Sequence, residues 1–191
     1  PVISYYDGTN ANLKVVKCSN PACSSIADNT ITPVDTSGDV EDATTAIAIG
    51  SDGLPIVSYG FRHPTTYKQV NFIKCGNDAC TSGNTPPRVI DSGLGSGTTY
   101  FFYLDMTVAA DGLPVISYWK KNTADLKFAK CGNLDCSSGN SITVIDGTSS
   151  STGEDSEIAV DSINRPIIAY LDLSTHKLKV VKCGSINCIY P

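Results

Sequence analysis

The amino-acid sequence predicts an all-β fold, a propeller-like array of four-stranded antiparallel blades covering about three and a half repeats. Three observations carry this. A segment opening on proline recurs as PVISYYDGTNANLKVVKC from Pro1, PIVSYGFRHPTTYKQVNFIKC from Pro55, PVISYWKKNTADLKFAKC from Pro114 and PIIAYLDLSTHKLKVVKC from Pro166. Each copy ends on the first cysteine of a Cys-x4-Cys pair, so all eight cysteines fall at one phase of the repeat. Between these marks run short apolar stretches bounded by turn residues, and none shows a helical period with caps. A unit of about 50 to 60 residues lies in the range of propeller blades, whereas a Greek-key sandwich leaves the repetition unexplained.

The elements of one unit follow in order. Strand a is TTAIAIG (44–50), MTVAA (106–110) or SEIAV (156–160), the smallest and most apolar, as an innermost strand requires. A turn follows, SDGL, ADGL or SINR, and Asp-Gly is a strong hairpin signal. Strand b is the PVISY segment, whose proline is tolerable at a strand's first residue. Strand c is LKVVKC, VNFIKC or LKFAKC, where apolar residues alternate with lysine and one face reads as wetter. The Cys-x4-Cys stretch leads into strand d, TITPVD, PPRVID or SITVID, with proline suited to an edge. The chain opens at b and closes after c, so the strands per unit count three, four, four and three. Residues 1–191 are expected to form a single repeat domain or a segment of a longer array, with repeats 1–54, 55–113, 114–165 and 166–191, the first and last blades incomplete.

Composition narrows the partners. The net charge is −5 and the pI about 4.8, which argues against a nucleic-acid phosphate backbone and an anionic membrane surface. No apolar run approaches the roughly 18 residues of a spanning helix, so no membrane insertion is expected. The chain begins at Pro1 with no visible signal peptide and reads as a processed product or a piece of a longer one.

The pairs Cys18–Cys23, Cys75–Cys80, Cys131–Cys136 and Cys183–Cys188 read as disulfides. On successive blades they would stand too far apart to build a zinc site, and the two histidines, His63 and His176, fall at unlike positions of the repeat. Five extended steps span about 17 Å, while a disulfide holds its Cα atoms within about 4.4–6.8 Å. The intervening residues must therefore turn. Each small ring is worth about 2 kcal/mol on the chain-entropy model, and four imply an oxidising compartment, extracellular or at the cell surface.

Other candidates are weaker. The acidic loops GDVEDATT (Asp39, Glu41, Asp42) and TGEDSE (Glu154, Asp155, Glu157) offer oxygen ligands for calcium, with a solvated loop as the plainer reading. Tyr5, Tyr59, Tyr118 and Tyr170 end strand b in every unit and are expected to pack between blades with their hydroxyls bonded. Trp119 and Tyr6 follow that tyrosine and are the candidate glycan-binding rings. The insertion FRHPTTYKQ (61–69) belongs to one unit alone, and TSSST (148–152) offers hydroxyls for O-linked sugar. There is no Gly-x-Ser-x-Gly elbow, no unpaired cysteine in this scheme, and no carboxylate pair that linear spacing places for glycoside chemistry.

The pattern D-G-x-P-x-I-S-Y followed by L-K-x-x-K-C resembles secreted or surface-anchored bacterial proteins with tandem propeller-type repeats, broadly similar to the BNR (Asp-box-like) propellers. The resemblance implies architecture and lends no catalytic residues, since the Asp-box and an arginine cluster are both missing. The expectation is therefore a non-enzymatic extracellular structural or adhesive repeat protein. It would be a subunit or segment of a surface fibre assembled head to tail through incomplete terminal blades. Its partners would be copies of itself or further repeats, with glycans second, and no cofactor is expected. The alternative is a lectin-like carbohydrate-binding propeller, and a propeller hydrolase stands third.

Overall fold

A computed structural model describes residues 1–62, 68–95, 103–147 and 151–189, with the side chains of 41–43 also outside the description. The insertion at 61–69 and the TSSST run lie partly outside these residues. The described chain is all-β. Four antiparallel sheets follow one another along the sequence, with three, four, four and three strands, the count read from the sequence. Sheet 1 holds β1 (Val2–Asp7), β2 (Asn12–Lys17) and β3 (Thr30–Asp35). Sheet 2 holds β4 (Val40–Ile49), β5 (Pro55–Arg62), β6 (Lys68–Lys74) and β7 (Arg88–Asp91). Sheet 3 holds β8 (Leu104–Val108), β9 (Pro114–Lys120), β10 (Asp125–Lys130) and β11 (Ser141–Asp146). Sheet 4 holds β12 (Thr152–Val160), β13 (Pro166–Asp172) and β14 (Lys177–Lys182). Neighbouring sheets pack face to face, and the leading strands β4, β8 and β12 lie against one another from sheet to sheet. No helix of the described residues is long and apolar enough to cross a membrane.

The core is three layers, one between each pair of sheets. Leu13 and Val15 meet Val57 and Tyr59 between sheets 1 and 2. Phe72 and Val70 meet Ile116 and Tyr118 between sheets 2 and 3. Leu126 and Phe128 meet Ile168 and Tyr170 between sheets 3 and 4.

A bulge completes each layer. The pairing shifts at Leu13/Lys14, at Val70/Asn71 and at Leu126/Lys127, the same place in each sheet. Leu13 then faces Asp35, Val70 faces Asp91 and Leu126 faces Asp146, with Val34, Ile90 and Ile145 as the extra residues. In a regular strand successive side chains point to opposite faces; a bulge re-aims one of them. Here the apolar residue and the aspartate both serve the layer toward the next sheet. There Tyr59 OH donates to Asp35 Oδ2 at 2.5 Å, Tyr118 OH to Asp91 Oδ2 at 2.8 Å, and Tyr170 OH to Asp146 Oδ2 at 2.8 Å. Lysine joins from the following sheet: Lys127 pairs with Asp91, and Lys179 Nζ lies 3.2 Å from Asp146. Burial first, then the neighbouring aspartate charge, pushes the Tyr59 and Tyr118 hydroxyls far up from the ordinary phenol value.

In sheet 3 the lysines of strand c are not a wet face, whereas Lys182 of sheet 4 stays 48% exposed. Lys127 is 10% exposed at its side chain and Lys130 9%. The lysine preceding each later Cys pair reaches back to the hairpin turn of its own sheet, as Lys74–Asp52 at 2.6 Å, Lys130–Asp111 at 2.7 Å and Lys182–Asp161 at 2.9 Å. The turns close through a residue of positive φ, Gly53 (82°), Gly112 (80°) and Asn164 (65°), residue types that tolerate the left-handed region.

All four disulfides form, with Cα–Cα distances of 5.0, 4.8, 4.9 and 4.7 Å in chain order. Each second cysteine adopts a positive φ, between 52° and 56°. Gly76 and Gly132 follow the first cysteine because a Cβ there would meet the backbone of Gly83 or Gly139. The three later disulfides are buried in the layer shared with the preceding sheet, so they fill core as well as closing turns. Four disulfides set the chain in an oxidising environment.

Candidate functional site

The acidic stretches expected as loops are strand. Asp42 falls in β4, and Glu154, Asp155 and Glu157 fall in β12, whose pairing with β13 is irregular between Thr152 and Glu157. Asp39 lies just before β4, and the side chains of Glu41 and Asp42 are outside the description. Among the described residues no group of three or more His, Cys, Asp or Glu is arranged to hold a metal ion.

Register brings together what linear spacing left apart. Ala46 pairs with Ser58, Asp105 with Ser117 and Glu157 with Ala169, so these three hold one equivalent position on the leading strands of sheets 2, 3 and 4. Two of the three are carboxylates on neighbouring strands, near enough for the Asp105 charge to act on Glu157. Asp105 Oδ2 also accepts from the Ile158 backbone N at 2.8 Å, across the sheet boundary. Glu157 is held up from the ordinary glutamate value by loss of solvent, then by the Asp105 charge and hydrogen bond, then by the Asp155 charge. Ser117, opposite Asp105, is fully buried, and its Oγ has no hydrogen-bond partner among the described residues.

The pair belongs to a larger acidic edge. Glu154 is pushed up by burial and by Asp155, against a 3.5 Å hydrogen bond from Ser151 Oγ. Asp155 is exposed and holds φ 48°, in the left-handed region that Asp tolerates better than most residues. The Tyr103 hydroxyl rises through burial and then the Asp155 and Glu154 charges. Its ring lies 6.4 Å from that of Trp119, tilted by 43°. Trp119 is only 6% exposed, and its Nε1 is buried with no partner among the described residues. Tyr6, the other candidate ring, sits half-buried against the layer between sheets 1 and 2, in a different sheet from Trp119.

Sequence reasoning misses Asp105 because the apolar run MTVAA starts strand a at Met106, whereas the strand begins at Leu104. The signal that finds it is the repeat itself: counting back from Pro114 and Pro166 sets Asp105 and Glu157 at the same offset.

No family model matches the chain, and no curated protein matches it. One solved structure that is similar is the endo-arabinase from Bacteroides thetaiotaomicron VPI-5482. The TM-score is 0.50 at 14% identity, over 94% of this chain and 72% of that one. The likeness is one of fold. It corrects the expectation of a non-enzymatic structural or adhesive fibre subunit, because an enzyme stands on this architecture. That expectation rested on the stapled blades, the incomplete terminal blades and the absence of a catalytic cluster, and the register now sets two carboxylates, Asp105 and Glu157, at equivalent places on neighbouring strands. The fibre role and the non-enzyme assignment are withdrawn.

Proposed function

We propose that the chain is an extracellular carbohydrate-active enzyme of propeller architecture, a glycoside hydrolase whose proton donor is Glu157. The observation that carries the reading is the register, which sets Asp105 and Glu157 at equivalent places on packed leading strands, where Ile158 N donates to Asp105 Oδ2. A glycosidase needs one carboxyl kept protonated to deliver a proton to the leaving oxygen, and a neighbouring carboxylate is one way such a group is made; Glu157 is exposed, within reach of a substrate. Asp105 tunes and orients Glu157. Asp155, exposed on the same strand and felt by Glu157, is the second carboxylate, which activates water or attacks the sugar. Likeness to an endo-arabinase favours glycan as substrate and makes arabinan the first to try.

The test is release of reducing sugar from a panel of plant and microbial polysaccharides by the full chain with its disulfides formed. Hydrolysis abolished by Glu157→Gln and by Asp155→Asn, with unchanged circular dichroism, is the expected result. Glycan retained on affinity gels without turnover would replace the enzyme by a lectin. Neither binding nor cleavage across the panel would end the carbohydrate reading.

A further inference from the structure

The three layers between sheets share one trio of positions, and one layer departs from it. Each has a tyrosine, the aspartate of the preceding sheet, and the side chain that pairs opposite the tyrosine. Lys127 stands opposite Tyr118 and Lys179 opposite Tyr170, and their ammonium groups reach Asp91 and Asp146. In the layer between sheets 1 and 2 the residue opposite Tyr59 is Asn71, and the aspartate is Asp35. Asparagine is the shorter side chain, and it brings an oxygen where lysine brings a cation. Asp35 is 6% exposed, with Tyr59 OH donating to Oδ2 at 2.5 Å and Ser37 N to Oδ1 at 2.9 Å. Among the described residues no cationic side chain pairs with it. Lys14, on the neighbouring strand β2, is held by Asp7 at 2.7 Å.

Asn71 is itself only 3% exposed, and its Oδ1 is buried with no hydrogen-bond partner among the described residues. A buried charge is ordinarily paired or bound to a metal ion. A buried polar atom left alone calls for a physical reason. Both needs fall in the one layer without an ammonium group. We propose that a monovalent metal cation, sodium or potassium, binds between sheets 1 and 2, with the Asp35 carboxylate and the Asn71 amide oxygen among its ligands. The ion stands where the other two layers place a lysine ammonium. Oxygen donors suit a hard cation. One carboxylate balances one positive charge, which sets a monovalent ion ahead of calcium. The site uses a single acidic side chain, so it is unlike the clusters of three or more His, Cys, Asp or Glu that the described residues lack.

Thermal melting of the full oxidised chain tests it. The protein is dialysed into choline chloride, and sodium, potassium or calcium chloride is then added at constant ionic strength. The wild-type melting temperature is expected to rise by about 2–4 °C with sodium or potassium and to level off as the site fills. Asn71→Lys carries its own ammonium group and is expected to lose the response. Asn71→Leu, which needs no room for a longer chain, removes the oxygen ligand and is expected to lose it too, with a lower melting temperature. A wild type that melts alike in choline, sodium and potassium overturns the proposal. A response to calcium alone also overturns it, as does a response that survives in either variant, since the ion would then bind elsewhere. The assay reads melting and not hydrolysis, so its outcome is separate from that of the glycan reading.

Discussion

Two sets of carboxylates in this molecule meet opposite fates. Asp35, Asp91 and Asp146 end the last strands of their sheets and each accepts from a tyrosine of the next sheet, with a lysine added at Asp91 and Asp146. Asp105 and Glu157 stand on leading strands and face each other. In the first set the charge is matched and the result is cohesion between sheets. In the second, like groups share a site and one of them is driven toward its neutral form. The difference shows where a repeat protein keeps its architecture and where a single position departs from it: Ala46 occupies in sheet 2 the place that Asp105 and Glu157 hold in sheets 3 and 4.

The comparison breaks most visibly at Asp91. Asp91→Ala leaves Lys127 and the Tyr118 hydroxyl in the layer between sheets 2 and 3 without their acceptor, and about 3 kcal/mol of stability is expected to go. The denaturant midpoint measures it, and a loss no larger than that of Asp105→Ala would erase the distinction. Tyr118→Phe removes one charge-assisted bond while Lys127 still holds Asp91, so about 1.5 kcal/mol is expected by the same measurement.

The second set is sharpened by pH. The folded state raises the Glu157 value, so it holds that proton more tightly than the unfolded chain does. The resulting stability is complete below the ordinary glutamate range and is lost as pH rises through the raised value. The melting temperature of the wild type relative to Glu157→Gln should therefore fall across that window in scanning calorimetry. A pH-independent difference would argue that the two carboxyls do not interact. The smallest effect belongs to Arg88, 3.9 Å from Asp135 and partly exposed. Arg88→Ala is expected to cost no more than about 0.5 kcal/mol, against the far larger loss at Asp91.

Much of the fold was legible because repetition averages out local ambiguity. Four prolines and four cysteine pairs fixed the phase, and the strand count per sheet followed. The tyrosine of strand b was expected between sheets, and that is where Tyr59, Tyr118 and Tyr170 lie. Its partner was not legible, since an alternating pattern sends the aspartate after Val34 or Ile90 to the opposite face, and only the bulge brings it back. The lysines of strand c in sheet 3 mislead for a related reason: their acceptors, Asp91 of the preceding sheet and Asp111 of the hairpin turn, lie away from the strand in sequence. The candidate site stayed hidden because contact between Asp105 and Glu157 depends on two sheets lying side by side. Their spacing of 52 residues means nothing until the repeat is used as a ruler.

The disulfides carry one more consequence, for how the chain is made. Eight cysteines admit 105 complete pairings. Every native bond here joins residues separated by five positions. Such a partner is always the nearest thiol, at an effective concentration no distant cysteine matches. Oxidation can therefore proceed correctly on each segment as it emerges, before any sheet has found its neighbour. Repeats can be gained or lost over generations without ever stranding a thiol.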